Sequence, residues 1–379
     1  MPSSDRWCGF NFGNWLSQSS LKPPHIDKFY KEDDVALLSD WGFNFVRLPV
    51  DYMFFENDES PGVYDEKRLS YVDRAISWCS KYNVHVNLDM HELPGYGISR
   101  VAGDRSFKPT LWTQEDLLRR SEDVWRMFAK RYVSEGDILS FNLINEPIAE
   151  MSLYQRFIKR MIAAIREVDR ERLIIIDGCD VARTPVPNIA DERVAQSFHM
   201  YEPGWFTHYG AFWAPGGYLY EAGCYIYEEP ARYPGVPPRM ERYLDRLPPE
   251  RYFDRLPPRR RALMKNLHDF FSRYAGVRID RSWLENRMEP WLRFREETST
   301  LIHCGEMGVY ALRVDRESQL NWYRDVLDMF KQHNIGWALW NLRGSFGIIN
   351  HGREEFPTER LQSGDLLDSE LLHILQNSL

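Results

Sequence analysis

The sequence predicts an α/β fold, a (β/α)8 TIM barrel spanning residues 1–379 as one domain, with a long insertion after the sixth strand. Short, nearly continuous apolar runs alternate with longer segments of helical period along the whole chain, the pattern of a parallel sheet covered by helices. The runs number eight, the count that closes such a barrel. A doubly wound nucleotide-binding sheet is disfavoured, because "GFNFGN" in the first run is not the G-x-G-x-x-G turn that such a sheet carries there.

In chain order the strand candidates are "WCGFNFG", "FNFVRLPV", "VHVNLDM", "ILSFNLINE", "LIIIDG", "VAQSFHMY", "LIHCGEM" and "GWALWNL". Between them lie "LSYVDRAISWCSKY", "EDLLRRSEDVWRMFAKRY", "YQRFIKRMIAAIREVD" and "NWYRDVLDMFKQH". Their apolar residues recur every three or four positions, so each presents one apolar stripe to a sheet.

The rhythm breaks after "FHMYEP", and the next strand candidate begins only at Leu301. Residues from about 202 to 280 are expected to form an inserted loop or lid. It opens on the aromatic run "GWFTHYGAFWAPGGYLY", with Trp205, Phe206, Tyr209, Trp213, Tyr218 and Tyr220. Those rings suit either a sugar platform closing one end of a cleft or a small core for the insertion itself. A near-repeat follows, "ERYLDRLPP" from Glu241 and "ERYFDRLPP" from Glu250. Each copy suits one short helical turn before its Pro-Pro stop, and two copies are too few for a solenoid. Helices are expected at about 259–274 and 281–298.

Composition narrows the function classes. With 43% hydrophobic and 27% charged residues the chain can bury a large core without disulfides or metals. A net charge of −8 argues against nucleic acid as a partner. No apolar run approaches the ~20 residues that span a bilayer, so no membrane partner is expected. The five cysteines (Cys8, Cys79, Cys179, Cys224, Cys304) are scattered singly and read as reduced thiols. "MPSSDRWCGF" lacks a basic segment followed by an apolar one, and the expected location is cytoplasmic.

The residues that end the strands carry the chemistry. The second run delivers Arg47, the third His91, the fourth Asn145 and Glu146, the sixth His199 and Tyr201, the seventh Glu306 and the eighth Trp340. A β/α barrel brings all of these ends to one face, where active sites form. Each residue also has an ordinary structural use: Arg47 as the partner of a nearby acid, His91 hydrogen-bonded to Asp89, Trp340 as core. No H-E-x-x-H or similar compact ligand set is present, so no metal and no cofactor are expected. Glu146 and Glu306 decide the reading. Two carboxyl groups facing one mouth are what glycosidic cleavage requires, one protonated to assist the leaving oxygen and one ionised to attack the anomeric carbon. A half-buried glutamate near a second carboxylate has its protonated form favoured, which suits it to act as the acid.

Taken together, "GFNFGNWL", "VRLP", "LDMHELPGY", "LINEP", "FHMYEP", "CGEMG" and "WALWN" resemble glycoside hydrolase family 5, the cellulase-like retaining β-glycosidases, from about residue 7 to 350 outside the insertion. The resemblance implies that Glu146 is the general acid/base and Glu306 the nucleophile. It implies that Asn145 binds the sugar 2-hydroxyl, that Arg47 and Tyr201 hold Glu306 and keep its pKa low, that His91 and His199 orient substrate and acid, and that Trp340 underlies the reacting sugar. The expected partner is a carbohydrate, a β-linked glycoside or oligosaccharide. β-Glucosides are the first expectation; β-mannosides, or binding without catalysis, are the alternatives. Glu92 departs from the family pattern as an extra acid beside His91.

Overall fold

Eight parallel strands close a barrel in the computed structural model, which describes residues 6–103, 107–189, 191, 193–211, 213, 231–237, 240–353 and 355–379. They are β1 (Cys8–Asn11), β2 (Phe45–Asp51), β3 (His85–Leu93), β4 (Leu139–Asn142), β5 (Leu173–Asp177), β6 (Val194–Met200), β7 (Ile302–Met307) and β8 (Gly336–Leu339). Each pairs with the strands before and after it, and β8 returns to β1 with Cys8 opposite Trp337 and Phe10 opposite Leu339. One antiparallel addition, Tyr96–Gly97, folds back onto the end of β3.

The helices around the barrel are α1 (Glu32–Asp40), α2 (Glu66–Lys81), α3 (Glu115–Arg131), α4 (Met151–Arg166), α5 (Pro258–Tyr274), α6 (Arg281–Thr298), α7 (Arg316–Gln332) and α8 (Ser369–Gln376). Their starts follow from capping chemistry. Asp65, Asp280, Asp315 and Asp368 each accept a first-turn backbone N–H, satisfying a donor that the helix cannot. Their stripes follow from the three- and four-residue spacing: α2 buries Leu69, Val72, Ile76 and Cys79, and α7 buries Leu320, Tyr323, Leu327 and Phe330.

One helix of the expected alternation is missing. Between β5 and β6 the described chain makes only the short turn Cys179–Ala182, in which Asp180 and Val181 are left-handed. The space is taken by Trp291 of α6, which packs against Phe198 of β6 with ring centroids 5.4 Å apart and planes tilted by 35°, and donates to the Arg183 carbonyl at 3.0 Å.

The described part of the region after β6 packs on the barrel. Trp205, Phe206 and Tyr209 are buried, and the Tyr233 hydroxyl donates to Asp325 of α7 at 2.7 Å. Leu267, Phe271 and Tyr274 form the buried stripe of α5. Tyr218, Tyr220 and Cys224 lie outside the described residues, while the other four cysteines are free and buried. Among the described residues no helix is long and apolar enough to cross a membrane.

The barrel's two ends differ. The N-terminal end is plugged by Trp7, Phe45, Ile175, Ala195 and Ala338. The C-terminal half of the interior is filled by polar side chains from nearly every strand, among them Asn11, Arg47, Asp89, Asn142, Asp177 and His199.

Candidate active site

Two interruptions of the strand ladder aim the site. Val50 pairs with Met90 but Asp51 pairs with Glu92, so β3 has one extra residue, His91. Phe198 pairs with Cys304 but His199 pairs with Glu306, so β7 has one extra residue, Gly305. Such bulges twist a strand and redirect its side chains. Only glycine fits at 305, because a Cβ there would stand 2.4 Å from the Ser197 hydroxyl oxygen.

Arg47 lies at the centre, fully buried, and reaches five other strands. Its guanidinium meets Glu306 Oε1 at 2.6 Å, Asp89 Oδ1 at 3.0 Å and Asp177 Oδ2 at 3.6 Å. It donates to Asn11 and Asn142 at 3.1 Å each, and to Asn145 Oδ1 at 2.8 Å. A buried cation with so many acceptors is tolerable only as a complete network; removing one partner would strand several charges. Tyr201 completes the nucleophile's surroundings by donating to Glu306 Oε2 at 2.9 Å.

Glu146 occupies a strained turn. Its φ is +46°, left-handed for a residue with a Cβ, a conformation costing on the order of 1 kcal/mol or more. Two contacts hold it there. Its N–H donates to Asp177 Oδ2 at 3.0 Å and its carbonyl accepts from the Tyr96 hydroxyl at 2.5 Å. The Tyr96 oxygen in turn accepts from the Ile148 N–H at 2.9 Å. The carboxyl group meets His199 Nδ1 at 2.8 Å, and the same nitrogen is 3.6 Å from Glu306 Oε2. Carboxylate oxygens of Glu146 and Glu306 lie within 4.8 Å of each other.

His91 shares Asp89 through Nδ1 at 2.9 Å and stacks on Trp340 with centroids 5.4 Å apart and planes 13° off parallel. Trp340 packs with Ala211, Tyr310 and Phe346, and with Tyr201 at the edge of that cluster. Gly13 permits this placement, since a Cβ on it would stand 2.7 Å from the Trp340 ring. Of the aromatic loop, Trp213 reaches this cluster, 42% exposed and edge-on to Tyr310 at 5.3 Å. Trp205, Phe206 and Tyr209 serve the core instead.

Charge in the mouth is set by these contacts. Burial works against charge on His199, but Glu306 and Asp177 outweigh it and push its pKa up to about 10. Burial likewise opposes charge on His91, and Asp89 reverses the balance, raising it. Asp177 is held at about 2, because His199 and Arg47 overcome the effect of its burial. Glu306 differs from the expectation that Arg47 and Tyr201 keep it low. Burial raises its carboxyl above the ordinary carboxylate value and Glu146 adds to the rise, while His199, Arg47 and His91 only partly offset it.

Glu146, His199 and Glu306 are close enough together to hold a divalent cation. The same atoms are already committed to one another and to the barrel: His199 Nδ1 meets Glu146 at 2.8 Å, and Arg47 and Tyr201 each hold one oxygen of Glu306.

Comparison with known proteins agrees with this geometry. The family model for Cellulase (glycosyl hydrolase family 5) matches residues 17–345. The chain belongs to that family. Endoglucanase C of Acetivibrio thermocellus is 31% identical over 93% of this chain and 95% of its own length. Cellodextrinase A of Ruminococcus flavefaciens is 26% identical over 92% of this chain and 87% of its own. A glycoside hydrolase crystal structure superposes with a TM-score of 0.78 at 27% identity, covering 99% of each chain. The fold is shared more widely, as with endoglucanase Cel5A of Thermotoga maritima, TM-score 0.66 at 19% identity over 97% and 96% of the two chains. This family member is therefore a glycoside hydrolase of the retaining β-glycosidase type.

The barrel brings together all eight residues singled out at the strand ends. Sequence reasoning missed several that hold them, Asp177, Asn11, Asn142 and Tyr96 among them. Asp177 ends β5 as the others end their strands, and the same rule applied to "LIIIDG" finds it. Asn11 and Tyr96 carry no comparable signal, because an asparagine in "GFNFG" and a tyrosine in "LPGYG" have ordinary turn uses.

Proposed function

We propose that Glu306 is the nucleophile and Glu146 the general acid/base of a double displacement on β-linked glucans and short gluco-oligosaccharides. One observation carries the assignment: the two carboxyl groups approach within 4.8 Å across the mouth. So close an approach of one oxygen from each group supports the retaining geometry, at about 5–5.5 Å, over the roughly 6.5–9.5 Å that an inverting enzyme leaves for a water.

The surrounding contacts divide the labour. Arg47 and Tyr201 each bind one oxygen of Glu306, which fixes the carboxylate for attack at the anomeric carbon. The glycosidic oxygen leaves with the proton from Glu146. A water deprotonated by the same residue then releases the sugar with its β configuration restored. Arg47 occupies Asn145 Oδ1, so the amide turns its Nδ2 donor toward the sugar's 2-hydroxyl. Glucan specificity is supported by the endoglucanase and cellodextrinase relatives.

Proton NMR of the first-formed product on a panel of β-gluco- and β-manno-oligosaccharides tests the reading. Initial β-anomer from gluco-oligosaccharides is expected; initial α-anomer would overturn the mechanism, and faster release from manno-oligosaccharides the specificity. Glu146→Ala should retain glycosylation on a dinitrophenyl β-glucoside, whose leaving group needs no proton, while losing activity on oligosaccharides.

A further inference from the structure

One polar side chain at the mouth has no part in the chemistry above. His208, beyond the end of β6, stands half-buried between Tyr201 and Phe346, with ring centroids 5.0 and 5.2 Å away. Tyr201 holds Glu306, and Phe346 belongs to the Trp340 cluster. The backbone on either side of the histidine is pinned. The Tyr310 N–H donates to the Thr207 carbonyl at 2.7 Å, and the Ala211 N–H donates to the His208 carbonyl at 2.9 Å.

Hydrogen bonding fixes which ring nitrogen carries the proton. Thr207 Oγ1 lies 2.7 Å from the Tyr201 carbonyl, which can only accept, so the single hydroxyl proton goes there. The same oxygen lies 3.0 Å from His208 Nδ1. With its own proton spent, the hydroxyl accepts in that contact, and Nδ1 bears the hydrogen. Burial drives the ring's pKa down to about 4 against the opposing charge of Glu146, with Arg183 adding to the fall. At neutral pH the ring is therefore neutral and Nε2 is a bare acceptor. Among the described residues nothing donates to it. Packing between two aromatic rings would be served equally by phenylalanine; a held, unused lone pair is what histidine adds.

Its position gives that lone pair a use. The charges that act on the ring are Glu146, at the end of β4, and Arg183, in the connection after β5. Glu146 gives its proton to the glycosidic oxygen, so the departing sugar lies on the Glu146 side of the cleaved bond. We propose that His208 is a specificity residue for that leaving sugar, its Nε2 accepting a hydrogen bond from a hydroxyl of the pyranose just beyond the scissile bond. This rests on the reading of Glu146 as the acid. It makes the enzyme favour a carbohydrate leaving group over an apolar one, and a carbohydrate acceptor over water when the covalent intermediate breaks down.

The test compares kcat/KM on cellotetraose and on 4-nitrophenyl β-glucoside, whose leaving group offers no hydroxyl at that place. His208→Asn keeps a polar group near Nδ1 and removes the acceptor at Nε2. It should lose about tenfold or more on cellotetraose and stay within about threefold on the aryl glucoside. His208→Gln, whose amide reaches the place of Nε2, should recover most of the loss. Cellobiose added to the 2-deoxy-2-fluoroglucosyl enzyme should speed its reactivation in the parent and do so far less in His208→Asn, a readout that a merely structural role would not move. Equal losses on the two substrates, full activity of His208→Asn on cellotetraose, or reactivation by cellobiose unchanged in that variant would overturn the proposal while leaving the catalytic pair standing. The pair itself fails only if Glu306→Ala stays active.

Discussion

Four histidines on the barrel strands are equally inaccessible to water yet differ in charge. His91 and His199 stand at the C-terminal ends of β3 and β6, facing Asp89, Asp177, Glu146 and Glu306, and both are shifted toward the protonated form. His85 and His303 stand near the N-terminal ends of β3 and β7. Burial dominates there, the neighbours are the Asp137 and Trp7 carbonyls and the Ser140 hydroxyl, and the pKa values fall to about 3 and about 4. The difference teaches that histidine alone does not mark the working end of a barrel. Carboxylates gathered there by several strands turn a packing residue into a fixed cation.

The sharpest way to break the contrast is to remove the cation that holds the mouth's carboxylates. Arg47→Met leaves Asp89, Asp177 and Glu306 without their shared partner; a loss of about 3–5 kcal/mol is expected in denaturant unfolding, with kcat/KM down by roughly 10³-fold or more. Exchanging one histidine from each end comes next. His199→Gln should lower kcat about 10²-fold, whereas His303→Gln should cost about 1–3 kcal/mol of stability and leave kcat/KM within about twofold. Equal kinetic losses for the two would erase the distinction.

Acid and alkali should attack opposite ends. His199 has a folded pKa raised from 6.5 to about 10, so its contribution is full below pH 6.5 and is lost as pH rises through 10. His85 is depressed from 6.5 to about 3, so its contribution is full above pH 6.5 and is lost as pH falls toward 3. Each is worth a few kcal/mol at most, about 1.4 for every pKa unit. Amide exchange should accordingly rise first around β6 on the alkaline side and around β3 and the N-terminal plug on the acid side. The smallest effect concerns Asp51. Burial raises its pKa from 3.8 to about 7, so ionising it in the fold costs stability above pH 7 that is not lost below 3.8. Asp51→Asn should therefore stabilise the protein by about 1–2 kcal/mol at pH 8 and have little effect at pH 4, read from thermal melts at the two pH values.

The strands were legible because parallel strands buried on both faces leave continuous apolar runs. Helices α5 and α6, at Pro258–Tyr274 and Arg281–Thr298, lie where the sequence placed them, at 259–274 and 281–298, because an Asp cap or a Pro start marks each beginning. That the eight strand-end residues meet in one mouth was legible for a similarly simple reason: polar groups at the ends of apolar runs need a use. What stayed hidden depends on pairing. No local signal says that His91 and Gly305 are extra residues in their ladders, nor that Trp291 takes the place of a helix after β5. The low pKa expected for Glu306 failed because it weighed Arg47 and Tyr201 without the cost of full burial.

Incubation with a 2-deoxy-2-fluoro-β-glucosyl fluoride, followed by peptide mapping, asks most directly which carboxylate attacks. A stable fluoroglucosyl ester on Glu306, absent in Glu306→Ala, is the result expected. An adduct on Glu146 or any other residue would contradict the assignment.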